Sequence, residues 1–150
     1  MKVRKCRFYT TEAQRVASLV ERVISYSLRT NPARPKPTRS GVLRALLQLG
    51  LRLADTREIP REYPTEKSPR VTLSYRVSDE ETNRLERMCD ELIRRSLFGA
   101  EPELAEVERM IIRLALDDAD KRKVFPAFVL LVWGPSDSSS GAPDDAKPSA

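Results

Sequence analysis

Ser68-Pro69-Arg70-Val71-Thr72-Leu73-Ser74-Tyr75-Arg76-Val77-Ser78-Asp79-Glu80-Glu81 is the stretch whose reading decides the fold. Val71, Leu73, Tyr75 and Val77 alternate with Arg70, Thr72, Ser74 and Arg76, and a period of two sends the two sets to opposite faces of a half-buried strand. Ser78 followed by three acids then predicts a helix start. A hydroxyl accepts orphan backbone N–H groups there, and carboxylates suit the positive end of the helix dipole. One strand has no ladder partner and cannot bury its apolar face alone. A second strand must lie elsewhere in the chain.

The N-terminus offers one in Lys2-Val3-Arg4-Lys5-Cys6-Arg7-Phe8, where Cys6 and Phe8 share one face and Lys5 and Arg7 the other. Arg4 falls on the inward face, so this strand is expected to fray there or to send its arginine to a phosphate. Cys6 reads as a small core residue. From Thr11 a helix follows, capped by Thr10 or Thr11, with Ala13, Val16, Leu19, Val20, Val23 and Ile24 at three- and four-residue steps. Three prolines make residues 30–37 a loop. Thr38 or Ser40 opens a second helix in which Val42, Leu43, Ala45, Leu46, Leu47, Leu49 and Leu51 leave little polar surface, as in a helix buried between two halves.

Residues 55–69 carry three prolines and few apolar groups and read as a linker. After the opening strand a helix is expected from Asp79 to about Ser96, stopped by Phe98-Gly99. Pro102 suits the first turn of a fourth helix with Val107, Met110, Ile111, Ile112, Leu114, Ala115 and Leu116 as its apolar set. Pro126 is expected to interrupt whatever continues from Lys121. The apolar run Val124 to Trp133 is expected to pack on the helices, with an added strand or a docked partner as alternatives. The tail, residues 134–150, has nothing to bury and is expected to be disordered.

Charge is unevenly spread. Of 27 basic and 22 acidic residues, residues 1–54 hold 12 and 2, a net of +10, which leaves −5 for the remainder of a +5 chain. A basic half of that size attracts polyanions, either nucleic acid or an anionic membrane surface. Without histidine, and with only Cys6 and Cys89, the chain lacks the ligands of a structural zinc site and the base of Ser-His-Asp or Cys-His catalysis. Acids abound, but their spacings put them mostly on solvated helix faces, so neither an enzyme nor a cofactor is expected. No secretory signal is visible and the longest apolar run is too short to span a bilayer, which points to a cytoplasmic protein with reduced thiols.

The decisive feature is an internal repeat. Shifted by 69 residues, Arg7 falls on Arg76, Phe8 on Val77, Val16 on Leu85, Leu19 on Met88, Val20 on Cys89 and Val23 on Leu92. Shifted by 65, Val42 falls on Val107, Arg44 on Arg109, Leu46 on Ile111, Leu47 on Ile112, Leu49 on Leu114, Gly50 on Ala115 and Leu51 on Leu116. The difference lies in a loop, where length is cheap. Arginines in register as well as apolar residues separate this from chance matching of amphipathic helices.

Strand–helix–helix, twice, resembles the ribbon-helix-helix family of DNA-binding proteins, the likeness being carried by residues 70–78 as strand and by residues 38–46 as the start of the second helix. The resemblance implies a mainly α fold with a two-stranded antiparallel ribbon, here as a tandem pseudo-dimer within one chain, its repeats spanning residues 1–54 and 70–123. Such tandem chains are similar to TraY-like and overdrive-binding virulence accessory proteins of conjugative and T-DNA transfer; Glu62-Tyr63-Pro64 in the linker adds weakly to that likeness. It implies base reading by Lys5, Arg7, Thr72, Ser74 and Arg76, since Arg and Lys donate to guanine and Thr or Ser meet several base edges. It also implies phosphate binding at the second helix start by Arg34, Lys36, Thr38, Arg39 and Ser40. In the second repeat that place holds Glu101, Glu103 and Glu106, which departs from the family pattern and predicts a lopsided footprint. The expected partners are double-stranded DNA, a relaxase or other transfer proteins, and further copies of the chain. A transcriptional repressor or antitoxin-type regulator is the alternative within DNA binding, and a helical module that docks an acidic protein the alternative outside it.

Overall fold

The partner that residues 71–77 require is the N-terminal strand. In the computed structural model, which describes residues 1–57, 67–94 and 103–133, β1 (Lys2–Phe8) pairs antiparallel with β2 (Val71–Val77). Lys5 faces Ser74 at the centre, flanked by Val3 opposite Arg76 and Arg7 opposite Thr72. Directly opposed residues share a face, so one side of the ribbon carries Cys6, Phe8, Leu73, Tyr75 and Val77, all buried. Five helices complete the described chain: α1 (Thr10–Thr30), α2 (Arg39–Ala54), α3 (Asp79–Arg94), α4 (Leu104–Ala119) and α5 (Phe125–Trp133). The protein is thus mainly helical around one two-stranded antiparallel sheet.

The ribbon rests on α2 and α4, whose residues are mostly buried. Val42, Leu43, Leu46, Leu47, Ile111 and Ile112 are at most 1% exposed. The helices approach so closely at Gly50 that a Cβ there would stand 2.3 Å from the Ile111 carbonyl oxygen. Overpacking a core costs about 1–3 kcal/mol, against about 1 kcal/mol that alanine gains over glycine in a helix. The obstacle is backbone and cannot rotate away, so the upper end applies. Gly50→Ala is therefore expected to lower the denaturation midpoint, and an unchanged or raised midpoint would show that the two helices part freely.

Several local expectations change. The residue preceding α1 is Tyr9 rather than a threonine, and Glu12 closes the helix start by accepting the Tyr9 N–H at 3.2 Å. Thr38, not Ser40, caps α2 through the Gly41 N–H, 3.0 Å away. Pro126 interrupts nothing: it sits in the first turn of α5, where a missing N–H removes no intrahelical bond. Within the run Val124 to Trp133, Phe125–Trp133 is a helix with Phe125, Phe128, Val129 and Trp133 packed inward and Leu130 exposed. Arg4 neither frays nor reaches outward. Its guanidinium contacts Glu108 of α4 at 2.9 Å from Nε and 2.8 Å from the terminal nitrogen, and the Tyr75 hydroxyl donates to the same carboxylate. Four acids expected on solvated faces, Glu12, Glu81, Glu108 and Asp118, are buried. Phe98-Gly99, Pro102, Glu62-Tyr63-Pro64, most of the linker and the tail lie outside the described residues.

Candidate nucleic-acid interface

The register that buries one side of the ribbon turns Lys5, Arg7, Thr72, Ser74 and Arg76 onto the other. Lys5, Arg7, Thr72 and Arg76 are exposed and Ser74 is half-buried. Among the described residues the exposed side chains of Lys5, Arg7 and Arg76 have neither a hydrogen bond nor an ion pair. Two backbone ties hold the ribbon over the helices: the Arg76 N–H donates to the Ser40 hydroxyl of α2 at 3.1 Å, and Arg109 of α4 donates to the Arg7 carbonyl at 3.2 Å.

The five residues expected to hold phosphate gather at the start of α2 but do not play one role. Lys36 and Arg39 are exposed. Arg34 lays its guanidinium 4.5 Å over the Trp133 ring, which fixes its place without neutralising its charge. Thr38 is committed to the helix cap and Ser40 to the Arg76 N–H. An open groove runs from Arg34 and Lys36 past Thr38 and Ser40 to Arg76, with Leu131 and Trp133 of α5 along its wall. The basic helix start and one end of the ribbon therefore form a continuous surface.

At the start of α4 the chemistry is opposite. Glu103 precedes the helix, and its N–H donates to the Glu106 carboxylate at 3.3 Å. Two carboxylates at the start of α4, against Lys36 and Arg39 at the start of α2, make the two flanks of the ribbon electrostatically unequal.

Buried acids lock the helix starts to the opposite half. Glu81 accepts the Ser78 N–H at 2.8 Å and both carboxylate oxygens meet Arg44 Nε at 3.1 Å, with Gln48 of α2 a further donor. Burial pushes the Glu81 carboxyl upward, but the Ser78 N–H, Gln48 and Arg44 outweigh it and hold the group below its ordinary value. On the other side Arg113 of α4 stands 3.8 Å from Glu12. The signal was present in the sequence: Glu12 falls on Glu81 at the 69-residue shift, and Gln48 on Arg113 at the 65-residue shift. Val3 is the sixth residue of the outer face, 60% exposed opposite Arg76. An apolar side chain gave no reason to select it. Burial and the Glu108 charge push the Cys6 thiol up, which disfavours the thiolate.

Among the described residues no group of three or more His, Cys, Asp or Glu is arranged to hold a metal ion, and no helix is long and apolar enough to cross a membrane. Comparison with protein-family models, curated proteins and solved structures finds no match.

Proposed function

We propose that this chain is a sequence-preferring, non-enzymatic double-stranded DNA-binding protein, a tandem ribbon-helix-helix pseudo-dimer that inserts its ribbon in the major groove. The observation that carries the reading is the register, which gathers Lys5, Arg7, Thr72, Ser74 and Arg76 on one solvent-facing side, the arginine and lysine side chains without a hydrogen bond or ion pair among the described residues. The major groove, about 12 Å wide, admits a two-stranded ribbon. The order strand–helix–helix occurring twice and the matched braces of Glu81 on α2 and Glu12 on α4 support the pseudo-dimer. Its phosphate contacts fall mainly on the α2 side, through Lys36, Arg39 and Arg34, because Glu103 and Glu106 repel phosphate on the other. The role as an accessory factor in plasmid or T-DNA-like transfer, working with a relaxase or other transfer proteins in the cytoplasm, is supported by the family likeness of the sequence. The exposed Leu130 on a helix without charge favours a second reading in the same class, a repressor or antitoxin-type regulator with a partner on α5; a neighbouring toxin gene rather than a relaxase gene would select it.

The test is a mobility shift of the full chain on random duplexes and on duplexes from the parental origin of transfer, across a salt series. Binding at low salt with tighter retention of one sequence is expected. No duplex binding at low salt would overturn the proposal and leave the acidic-protein partner. Lys36→Ala is expected to weaken all duplexes alike and to reduce the slope of log affinity against log salt by about 1, the release of one phosphate's counterion. An unchanged slope would remove Lys36 from the phosphate contacts.

A further inference from the structure

On its outer face the ribbon has an internal two-fold axis that keeps an arginine at each end and is broken most sharply at its centre. In the observed register the axis passes between Lys5 and Ser74 and exchanges Arg7 with Arg76 and Val3 with Thr72. The 69-residue shift of the repeat relates the same residues. Each end of the outer face therefore presents an arginine opposite a methyl-bearing β-branched residue: Arg7 with Thr72, and Arg76 with Val3. On the axis itself the partners differ, a long cation against a short hydroxyl.

Resting on the DNA-binding reading above, we infer that the chain recognises an imperfect inverted repeat whose two ends are read alike by Arg7/Thr72 and Arg76/Val3, and that the Lys5/Ser74 pair at the centre sets the direction in which the protein lies. An arginine fork fits guanine O6 and N7, and the methyl groups of Val3 and Thr72 fit the thymine methyl. The two ends stand four residues apart along each strand. At about 3.3–3.4 Å per residue that is roughly 13 Å, or about four base-pair steps of 3.4 Å. A guanine on each side of the centre, about four steps apart with thymine nearby, is the outer pattern. At the axis Lys5 reaches guanine acceptors that Ser74 is too short to reach in the same way, so a central G·C pair is met differently in its two orientations. The basic α2 flank and the acidic α4 flank also differ, and the experiment must separate the two asymmetries.

Duplexes are first selected from a random library by the full chain. A half-repeat and its inversion are then placed around a single central G·C pair, and direction is read by an iron chelate tethered to an Ala33→Cys variant, an exposed residue beside the α2 flank with both natural thiols buried. Cleavage is expected on one flank of the DNA in preference to the other by about fivefold to tenfold, the lower range for a base contact of this kind. The exchange Lys5→Ser with Ser74→Lys, both on the outer face, should move cleavage to the opposite flank. Equal cleavage on both flanks, or cleavage that stays in place after the exchange, overturns the inference while leaving duplex binding intact. Selection of no duplex at all overturns it together with the DNA-binding reading.

Discussion

Arg7→Ala and Arg76→Ala are each expected to cost about 1–3 kcal/mol of affinity for the preferred duplex, the discrimination of one well-placed bidentate base contact. Both side chains are exposed and unpaired among the described residues, so truncation leaves no buried group stranded and the fold should be unchanged. Arg7 and Arg76 lie at opposite ends of the outer face, far enough apart that the two losses should add. The double variant should lose roughly 2–6 kcal/mol, thirtyfold at the least, by the sum of two such contacts. Random duplexes should lose far less, since there the arginines supply only charge. Titration of both duplexes by each variant at fixed salt separates the outcomes: an equal loss on preferred and random DNA would show that these arginines bind phosphate, and the ribbon would no longer be the reading surface.

How much of this interface was legible beforehand depended on the range of the signal. Alternation of Val71, Leu73, Tyr75 and Val77 with polar residues is local, and it located β2 correctly. The pairing with β1 is non-local, yet the repeat carried it, because the shift that aligns Arg7 with Arg76 also places both on one face of an antiparallel ribbon. α5 was ambiguous for a physical reason: a nine-residue run apolar on every side has no period to distinguish strand from helix. The helix starts were read by residue type, and there Thr38 and Ser40 looked interchangeable. Only the position of the Arg76 N–H assigns one hydroxyl to the cap and the other to the ribbon. The burial of the acids is invisible locally, because a helix wheel shows the face a residue occupies and not what packs on it. Glu81 is buried since α2 brings Arg44 and Gln48 to it from a different part of the chain. Arg4 gave the same difficulty more sharply, its partner Glu108 lying 104 residues away with no local mark.

That pair carries the second large effect, on stability. Glu108 is 1% exposed, ties Arg4 of β1 and Tyr75 of β2 to α4, and has no acidic counterpart in the other half: the 65-residue shift places Leu43 at its position, and the 69-residue shift pairs Arg4 with Leu73. Leu43 and Leu73 are themselves buried. Glu108→Ala would leave a guanidinium whose side chain is only 18% exposed and a buried phenol without their acceptor. Breaking a buried pair in this way costs about 3–5 kcal/mol, a large share of the roughly 5–15 kcal/mol that holds a domain together. The residual opening of Arg4 to water argues for the lower half of that range. Replacing the whole cluster by apolar groups should behave differently, since buried ion pairs are commonly matched or bettered by hydrophobic side chains of similar volume. Arg4→Leu, Tyr75→Phe and Glu108→Leu together install at this site the leucine pair that the other half already uses, and should recover most of the loss. Urea denaturation of the single and triple variants decides it. A triple variant as unstable as Glu108→Ala would mean that the ion pair itself, rather than the filling of the space between ribbon and α4, is what seats the ribbon on α4.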